Sequence, residues 1–304
     1  MNLKGKNILI GVSGSIAAYK TAELVSMLRK QDANVFVSMT ENAKKFINPI
    51  TFETLTNNKC LVDTFDRNFE FKTEHISIAK QVDLVVIAPA TANVIGKIAN
   101  GLADDMLTTT IMACKCKKLI APAMNTAMYE NPIVQENIEK LKHFGYEIIE
   151  PNEGILACGD SGKGKMEEPE EILEYIFKEI AYEKDLLGKK VLVTAGPTIE
   201  KIDSVRYLTN HSTGKMGYAL AKMAMLRGAE VTLISGKTNL KPPKFVKCIN
   251  VISAKDMFDE VKANFKEQDI IIKSAAVADF RAKEIFDGKM KKKDSKLTSI
   301  SYTH

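Results

Sequence analysis

Glycine and hydroxyl residues directly follow the first apolar run of the chain and come just before an amphipathic stretch. They are Gly11, Ser13, Gly14 and Ser15. Small side chains let the backbone approach a phosphate, and the start of a helix adds free N–H groups and the positive end of its dipole. The GxGxxG spacing of dinucleotide sites is missing, so the segment favours a mononucleotide phosphate such as that of FMN. The other interpretation is a plain turn between a strand and a helix.

A second group of small and hydroxyl residues follows a later apolar run. Pro89, Ala90 and Thr91 stand there, and Ser38 lies near the end of another apolar run. Ligands of open α/β sheets bind beyond the carboxyl ends of the strands, where such residues can face a flat ring and its phosphate-bearing chain. Two loops of this kind indicate a site more strongly than one, although Thr91 also suits a helix cap.

Three further residues have side chains suited to acid–base or carboxylate chemistry. Asn125 can hydrogen-bond a carboxylate and a neighbouring amide at once, although Asn is also a favoured helix N-cap. Cys158 lies in the glycine-rich segment 154–166, which suggests a lid over a substrate. Its thiol can act as an acid, a nucleophile or a redox group. His75 alone is typical of a surface residue, and only its combination with Asn125 and Cys158 makes it a candidate.

The second half of the chain has its own candidates for binding a phosphate-bearing ligand. Hydroxyls, glycines and a lysine follow Asn210 and open a predicted helix, as phosphate sites prefer, but the P-loop spacing is absent. Another apolar run leads into Lys273, Ser274 and Ala275. The nearby Asp279 suits a metal–nucleotide complex or a ribose.

Short apolar runs alternate with longer amphipathic stretches through the first half of the chain. Strands are predicted at 7–12, 34–39, 83–88, 118–121 and 146–149. Helices are predicted at 16–30, 47–56, 92–98, 105–114, 132–144 and 168–182. This alternation indicates a parallel sheet covered on both faces, that is, a flavodoxin-like, doubly wound α/β fold.

The second half repeats this pattern on a smaller scale. Strands are predicted at 190–195, 230–235, 247–252 and 270–274, and helices at 215–227 and 256–265. We therefore expect a second, Rossmann-like α/β domain, with a boundary near residue 188 and domains at 1–187 and 188–304. A typical sheet has about five or six strands, so this second domain is expected to be incomplete.

Length and composition narrow the class of protein. The 304 residues suit about two domains, and 45% apolar with 27% charged residues excludes wholesale disorder. The net charge of +5 is too small and too scattered for a nucleic-acid module, and no apolar stretch is long enough for a membrane span. The basic run that begins at Lys289 is typical of a solvated surface, but near a triphosphate it would supply counter-charge. Five scattered cysteines without metal-ligand spacing favour a reduced, cytoplasmic compartment and argue against zinc.

Four segments in the right order carry a resemblance to a known family. They read GVSGSIAAYK (11–20), DLVVIAPATAN (83–93), APAMNTAM (121–128) and GILACGDSGKGKM (154–166). The chain resembles the bifunctional proteins of coenzyme A biosynthesis, which fuse phosphopantothenoylcysteine decarboxylase to phosphopantothenate–cysteine ligase. The resemblance extends over nearly the whole chain.

The resemblance implies a mechanism for the first domain, acting on 4′-phosphopantothenoylcysteine. FMN oxidises the substrate thiol to a thioaldehyde, CO2 then leaves as an enethiolate forms, and reduced FMN returns its hydride after protonation. In this family pattern Cys158 gives the proton and Asn125 holds the substrate carboxylate. His75 helps to position the thiol and the departing group.

For the second domain the resemblance implies a CTP-dependent ligase. CTP activates 4′-phosphopantothenate as an acyl-cytidylate, which cysteine attacks, and Asn210 contacts that intermediate. Lys273 belongs to the expected CTP-binding set together with Ser274, Ala275, Asp279 and Lys289. Mg2+ offsets the triphosphate charge, with Asp279 as a possible contact.

The chain departs from the family pattern near its end. In the family, the lysine motif leads into a further strand and a long segment with more CTP-binding residues, whereas here residues 296–304 begin like that strand and then stop. We therefore expect a complete decarboxylase and a shortened ligase half, and the alternative is a decarboxylase that carries a non-functional ligase remnant. The family also leads us to expect trimers with FMN sites between subunits, often assembled as dodecamers, and ligase halves that pair as dimers.

Two other classes remain as alternatives. A flavodoxin-like electron carrier has no need for a thiol lid, so Cys158 in its glycine-rich segment argues against it. A nucleotide-binding oxidoreductase with two Rossmann-like halves is disfavoured because neither half contains GxGxxG.

Overall fold

A computed structural model describes residues 2–64, 74–155, 159, 161–290 and 298–302. The chain divides into two compact units, residues 1–181 and 182–304. The functional boundary at residue 188 stays a prediction. No helix in the described part of the chain is long and apolar enough to cross a membrane.

A parallel sheet forms the centre of the first unit. In the described ranges its strands are β1 (Asn7–Val12), β2 (Asn34–Met39), β3 (Leu84–Ala90), β4 (Lys117–Pro122) and β5 (Glu147–Ile148). Their spatial order is β2-β1-β3-β4-β5, and every neighbouring pair is parallel. This order and direction confirm the flavodoxin-like fold. The carboxyl ends of all these strands therefore meet at one edge of the sheet.

Helices cover both faces of this sheet. They are α1 (Ala18–Lys30), α2 (Pro49–Thr56), α3 (Glu74–Gln81), α4 (Ala92–Ala99), α5 (Met106–Ala113), α6 (Thr126–Tyr129), α7 (Pro132–His143) and α8 (Pro169–Ile180). Short polar side chains begin several of them: Asn48, Asp105 and Asn131 each accept a backbone N–H in the first turn. β3 is buried along its whole length, which places the core on both sides of the central strands.

The glycine-rich segment 154–166 differs from the flexible loop that its composition predicts. Its described arms, β6 (Asn152–Ile155) and β7 (Ser161–Lys165), pair as an antiparallel hairpin. Gly164 has φ of 144° and lies so close to the carbonyl oxygen of Met124 that a side chain would collide with it. Gly164 and Gly162, which meets Thr126, therefore serve close packing. A glycine-rich strand shows no alternation of apolar side chains that sequence reasoning could use.

A second parallel sheet forms the centre of the second unit. The strands and helices of this unit are β8 (Lys190–Ala195), β9 (Ile199–Lys201), β10 (Tyr207–Thr209), α9 (Lys215–Leu226), β11 (Glu230–Ser235), β12 (Lys247–Asn250), α10 (Ala254–Asn264), β13 (Ile270–Lys273), β14 (Phe280–Ala282) and β15 (Ser299–Ser301). The sheet has the order β12-β11-β8-β13, with all neighbours parallel. This confirms the predicted second α/β domain.

Two antiparallel strand pairs complete the second unit. β9 pairs with β10, and β14 pairs with β15. The predicted strand at the end of the chain therefore exists at 299–301, but it pairs with β14 and does not extend the parallel sheet. Strands of three residues are too short to show periodicity, which explains why β9, β10 and β14 were not predicted.

Candidate active sites

A serine at the carboxyl end of β1 joins two loops of the first sheet. The Ser13 hydroxyl donates to the carbonyl oxygen of Pro89 at 2.7 Å and accepts the N–H of Thr91 at 3.0 Å. The Ser13 N–H donates to the same Pro89 oxygen at 3.2 Å. Ser13 is only 1% exposed, so its hydroxyl braces the loops after β1 and β3 and is already used for that purpose.

The loop after β4 is bonded to the same edge. The N–H of Ala123 donates to the carbonyl oxygen of Ala90 at 2.9 Å. Asn125 follows directly and caps α6, with its side-chain oxygen accepting the N–H of Ala127 at 2.8 Å. The N-cap interpretation of Asn125 is therefore confirmed, and the cap fixes this side chain beyond the carboxyl end of β4.

The two predicted glycines of the first loop stand where backbone segments approach closely. A Cβ at Gly11 would lie 2.7 Å from Cδ1 of Leu107, and one at Gly14 would lie 2.7 Å from Cβ of Asn42. The loop after β1 is thus pressed against α5 and against the segment after β2. Larger residues at either position would push the loop away from the sheet edge.

The start of α1 has the features of an anion site. Its first residue is preceded by Ala17, and no side chain caps the helix. Ser15 lies beside it, and its hydroxyl accepts the N–H of Ala17 at 3.3 Å. The N–H groups of Ala17, Ala18 and Lys20 are bonded within this turn. The feature that suits a phosphate is the positive end of the α1 dipole, which follows the carboxyl end of β1.

Ser38 lies level with Gly11 in the β1–β2 register and is fully buried. Within the described residues its hydroxyl has no hydrogen-bond partner. A buried hydroxyl left unpaired costs about 1–3 kcal/mol, so a nearby group that reaches it is favoured. The orphaned hydroxyl, the uncapped start of α1 and the braced loops together fit a bound mononucleotide such as FMN.

A buried lysine at the start of α1 was missed by sequence reasoning. Lys20 is 6% exposed, and its ammonium lies 2.8 Å from a carboxylate oxygen of Glu168 and 3.4 Å from the carbonyl oxygen of Met166. The ammonium groups of Lys20 and then Lys165 lower the pKa of Glu168. This pair ties α1 to the end of the β6–β7 hairpin. A signal did exist, because Lys20 shares a helix face with the buried Leu24 and Leu28.

Two predicted catalytic residues are only partly located. His75 lies in the first turn of α3, a helix that packs against α5, and its side chain falls outside the described part of the chain. Cys158 also falls outside it, between the described arms of the hairpin. The hairpin itself lies on the Asn125 loop, since the N–H of Met124 donates to the carbonyl oxygen of Gly164 at 3.0 Å.

Hydrogen bonds of three predicted residues of the second unit meet at one segment, 274–277. The Asn210 amide donates to the carbonyl oxygens of Ala276 at 3.3 Å and Val277 at 3.1 Å. The Ser274 hydroxyl donates to the carbonyl oxygen of Thr194 at 2.7 Å, and the Ala275 N–H donates to the Thr194 hydroxyl at 3.3 Å. These bonds join Asn210 to the carboxyl ends of β8 and β13.

The start of α9 lies against the same edge. Gly214 precedes this helix with φ of 75°, and no side chain caps it. A Cβ at Gly217 would lie 2.5 Å from Cβ of Ala195 and 2.6 Å from the Ser274 hydroxyl. An uncapped helix start packed directly on β8 and Ser274 suits the phosphates of a nucleotide.

The remaining candidates of the second unit lie at its surface. Lys273, Asp279 and Lys289 are all exposed. The carbonyl oxygen of Asp279 accepts the N–H of Tyr302 at 2.8 Å, which holds the start of β14. Among the described residues no cluster of three or more acidic, His or Cys side chains could hold a metal alone.

The fold defines a class: a flavodoxin-like domain followed by a second α/β domain built on its own parallel sheet. A family described as Flavoprotein matches residues 1–181, and one described as DNA/pantothenate metabolism flavoprotein C-terminal domain matches residues 186–304. The chain belongs to the family of coenzyme A biosynthesis bifunctional proteins.

Individual relatives support this membership. The coenzyme A biosynthesis bifunctional protein CoaBC of Bacillus subtilis is 52% identical over 299 residues, which cover 97% of this chain and 74% of that protein. Its namesake from Escherichia coli is 44% identical, over 96% of this chain and 72% of that protein. The chain thus spans about three quarters of the length of these relatives.

Solved structures similar to this chain align with about half of it. A PPC decarboxylase mutant complexed with pantothenoylaminoethenethiol is 30% identical, with a TM-score of 0.50 over 56% of this chain and 96% of that one. MrsD from a Bacillus species is 27% identical, with a TM-score of 0.50 over 58% of this chain and 96% of that one.

Proposed function

We propose that the first unit binds FMN and decarboxylates 4′-phosphopantothenoylcysteine to 4′-phosphopantetheine. The observation that carries the proposal is the braced edge at β1 and β3, where Ser13 joins two loops beside the uncapped start of α1. In sheets of this strand order FMN binds at the switch point between these two strands. PPC decarboxylase, named for this activity, is similar in structure over 56% of the chain.

Different residues at this edge would contact different parts of FMN. The positive end of the α1 dipole and the Ser15 hydroxyl would hold the phosphate, while Ser38 and the loop from Pro89 to Thr91 would line the flavin side. Gly11 and Gly14 let the loop come close. Held by these residues, FMN would supply reversible hydride chemistry to the cysteine moiety of the substrate.

We assign two steps of the reaction to side chains of the protein, Asn125 and Cys158. Asn125 is oriented by its cap bond to Ala127, and we assign its amide to the substrate carboxylate. Cys158 gives a proton to the carbon of the enethiolate left after CO2 departs, and His75 positions the thiol and the departing group. The β7 arm is bonded to the Asn125 loop, since the Met124 N–H donates to the carbonyl oxygen of Gly164. This contact supports our assignment of Asn125 and Cys158 to one site.

The experiment uses the FMN-loaded protein and 4′-phosphopantothenoylcysteine. For Cys158→Ser we expect CO2 release without 4′-phosphopantetheine, with the oxidised enethiol detected by mass spectrometry. Cys248→Ser is the matched control, since Cys248 lies in β12 of the second unit, and it should make product normally. Normal product formation by Cys158→Ser would refute the proton donation.

For the second unit we propose CTP-dependent ligation of 4′-phosphopantothenate to cysteine. The hydrogen bonds of Asn210, Ser274 and Ala275, which meet at segment 274–277 beside the uncapped start of α9, support this. Lys273 and Lys289 supply positive charge, and Asp279 contacts Mg2+ carried by CTP. CMP release that depends on both CTP and cysteine tests the assignment, and a chain that binds no CTP contradicts it.

We further propose a cytoplasmic homo-oligomer built from trimers, up to a dodecamer, with no nucleic-acid or membrane partner. Leu102, Met112 and Phe144 expose more than half of their side chains around a cavity of about 310 Å³ in the first unit. Exposed apolar side chains grouped in this way favour contact with another copy. Native mass spectrometry should give multiples of three chains, and a monomer would contradict the proposal.

A further inference from the structure

A buried carboxylate in the second unit accepts three backbone N–H groups from two segments that are distant in sequence. One oxygen of Asp203 accepts the N–H of Val205 at 2.7 Å and that of Arg206 at 2.6 Å. The other oxygen accepts the N–H of Met290 at 3.1 Å. Asp203 is only 3% exposed. Burial of a carboxylate is unfavourable unless its oxygens are hydrogen-bonded, so this arrangement is a specific one.

Other main-chain bonds join the same two segments. The N–H of Phe286 donates to the carbonyl oxygen of Ile202 at 3.0 Å, and that of Ser204 donates to Gly288 at 3.4 Å. The Arg206 guanidinium donates to the carbonyl oxygen of Met290 at 3.3 Å. We call the joined segments 202–206 and 286–290 the clamp. Asp203 is the buried side chain that connects its two halves, and Arg206 is an exposed one.

The clamp fixes the backbone on both sides of Lys289. Gly288 and Met290 are each bonded to the 202–206 segment, and Lys289 stands between them with its side chain exposed. Adjacent Cα atoms are about 3.8 Å apart, so anchoring both neighbours leaves the Lys289 main chain little freedom. A flexible lysine that starts from a fixed backbone loses less entropy when its ammonium meets an anion.

The charge of Asp203 also matters for the strength of the clamp. The N–H groups of Val205, Arg206 and Met290 lower the pKa of this carboxyl, together with the Arg206 charge. The carboxylate is therefore ionised at neutral pH, and N–H bonds to an ionised acceptor are stronger than those to a neutral one. An asparagine offers only one acceptor oxygen in the same space and can satisfy only one half of the clamp.

We propose that Asp203 is a positioning residue that fixes the backbone of Lys289 for contact with the triphosphate of a nucleotide. The inference rests on the proposed CTP-dependent function of the second unit. Asp203 itself touches no nucleotide and acts only through the clamp. Its effect should appear in nucleotide affinity and in the local freedom of 286–290, and not in the stability of the parallel sheet.

The first arm of the test needs no nucleotide. Amide hydrogen exchange of the full, FMN-loaded chain is compared for the unsubstituted protein, Asp203→Ala and Asp203→Asn. We expect peptides that cover 286–290 to exchange at least about tenfold faster in Asp203→Ala, with Asp203→Asn between the two. Peptides over β8 should exchange unchanged.

Asp269→Ala is the matched control. Asp269 also accepts a backbone N–H, from Lys190 at 2.8 Å, but at the amino ends of β8 and β13, away from the clamp. This control should loosen the start of β8 and leave 286–290 unchanged. Equal loosening of 286–290 by Asp269→Ala, or none by Asp203→Ala, overturns the clamp.

The second arm measures the dissociation constant for CTP with Mg2+ by isothermal titration. Asp203→Ala should bind about tenfold more weakly, Asp203→Asn less so, and Asp269→Ala normally. A faster exchange of 286–290 with unchanged CTP affinity overturns the positioning role. If the unsubstituted chain binds no CTP, the ligase assignment fails and the role of Asp203 fails with it, whereas the exchange arm still decides whether the clamp exists.

Discussion

The two parallel sheets present their candidate sites in different ways. In the first unit the edge is buried, since β3 is buried throughout and Ser13 is hidden behind the loops it joins. In the second unit the edge is open, with Asn210 and Lys273, the last residue of β13, both exposed. Losing a buried hydrogen bond leaves an unsolvated partner, whereas water replaces an exposed one. The first site should therefore be rigid and the second adaptable.

The largest effect should come from the tight contact between the hairpin and the Asn125 loop. Gly164→Ala places a Cβ against the carbonyl oxygen of Met124 at a positive φ, which should cost about 2–5 kcal/mol of stability and abolish product formation. Gly154→Ala is the control, because its φ is also positive and no atom of the described residues lies within 4 Å of a Cβ placed there. Thermal unfolding and 4′-phosphopantetheine formation measure both. Equal behaviour of the two variants would show that the hairpin is not packed on this loop.

Ser13→Ala tests whether the Ser13 hydroxyl holds together the loops after β1 and β3 at the carboxyl edge of the first sheet. The change leaves the N–H of Thr91 without its partner, so stability should fall by about 1–3 kcal/mol and FMN should bind roughly tenfold more weakly. The exposed Thr54 hydroxyl, which bonds within its own helix, gives the control Thr54→Ala. Fluorescence titration with FMN makes the comparison. Unchanged FMN affinity in Ser13→Ala would show that the Ser13 hydroxyl does not hold the two loops in place for FMN.

The features that the sequence predicted most reliably, strand bounds and strand order, depend on buried apolar runs. β1 and β2 have the predicted bounds because their apolar residues are continuous, and the strand order follows from the βαβ alternation. The roles of Ser13 and Lys20 depend on partners 76 and 148 positions away, which a local pattern does not contain. The β6–β7 hairpin depends on Gly162 and Gly164, which pack against the loop after β4, and no side-chain periodicity marks it.

Lys20→Met should show a pH-dependent loss of stability in the first unit. Because Lys20 lowers the pKa of Glu168 in the folded state, the pair stabilises the protein above the unfolded pKa of Glu, about 4.3. That contribution disappears as the pH falls through the folded pKa. Above pH 5 we expect the variant to be less stable than the unsubstituted protein by about 1 kcal/mol, and below pH 4 we expect this difference to shrink. Tm measured over this pH range follows the difference. A difference that is constant with pH would show that packing alone, and not the ion pair, is lost.

Ser274→Ala should have the smallest effect on stability and ligand affinity. It removes a hydroxyl at the edge of the second sheet, as Ser13→Ala does at the first. The Ser274 hydroxyl also donates to a backbone oxygen, that of Thr194, but it is only half-buried. We expect a loss of about 0.5–1 kcal/mol and a CTP affinity within about threefold of normal. Isothermal titration with CTP and Mg2+ provides the measurement. If Ser274→Ala proved more damaging than Ser13→Ala, the contrast between a rigid and an adaptable edge would be wrong.

The central claim is that the first unit uses its flavin to decarboxylate and not to carry electrons. The most direct measurement is the stoichiometry of turnover by the FMN-loaded chain under anaerobic conditions, with 4′-phosphopantothenoylcysteine in large excess. We predict one 4′-phosphopantetheine for each CO2, over many turnovers and with no net flavin reduction. A protein that takes up no FMN, or one whose flavin exchanges electrons without releasing CO2, would contradict the account.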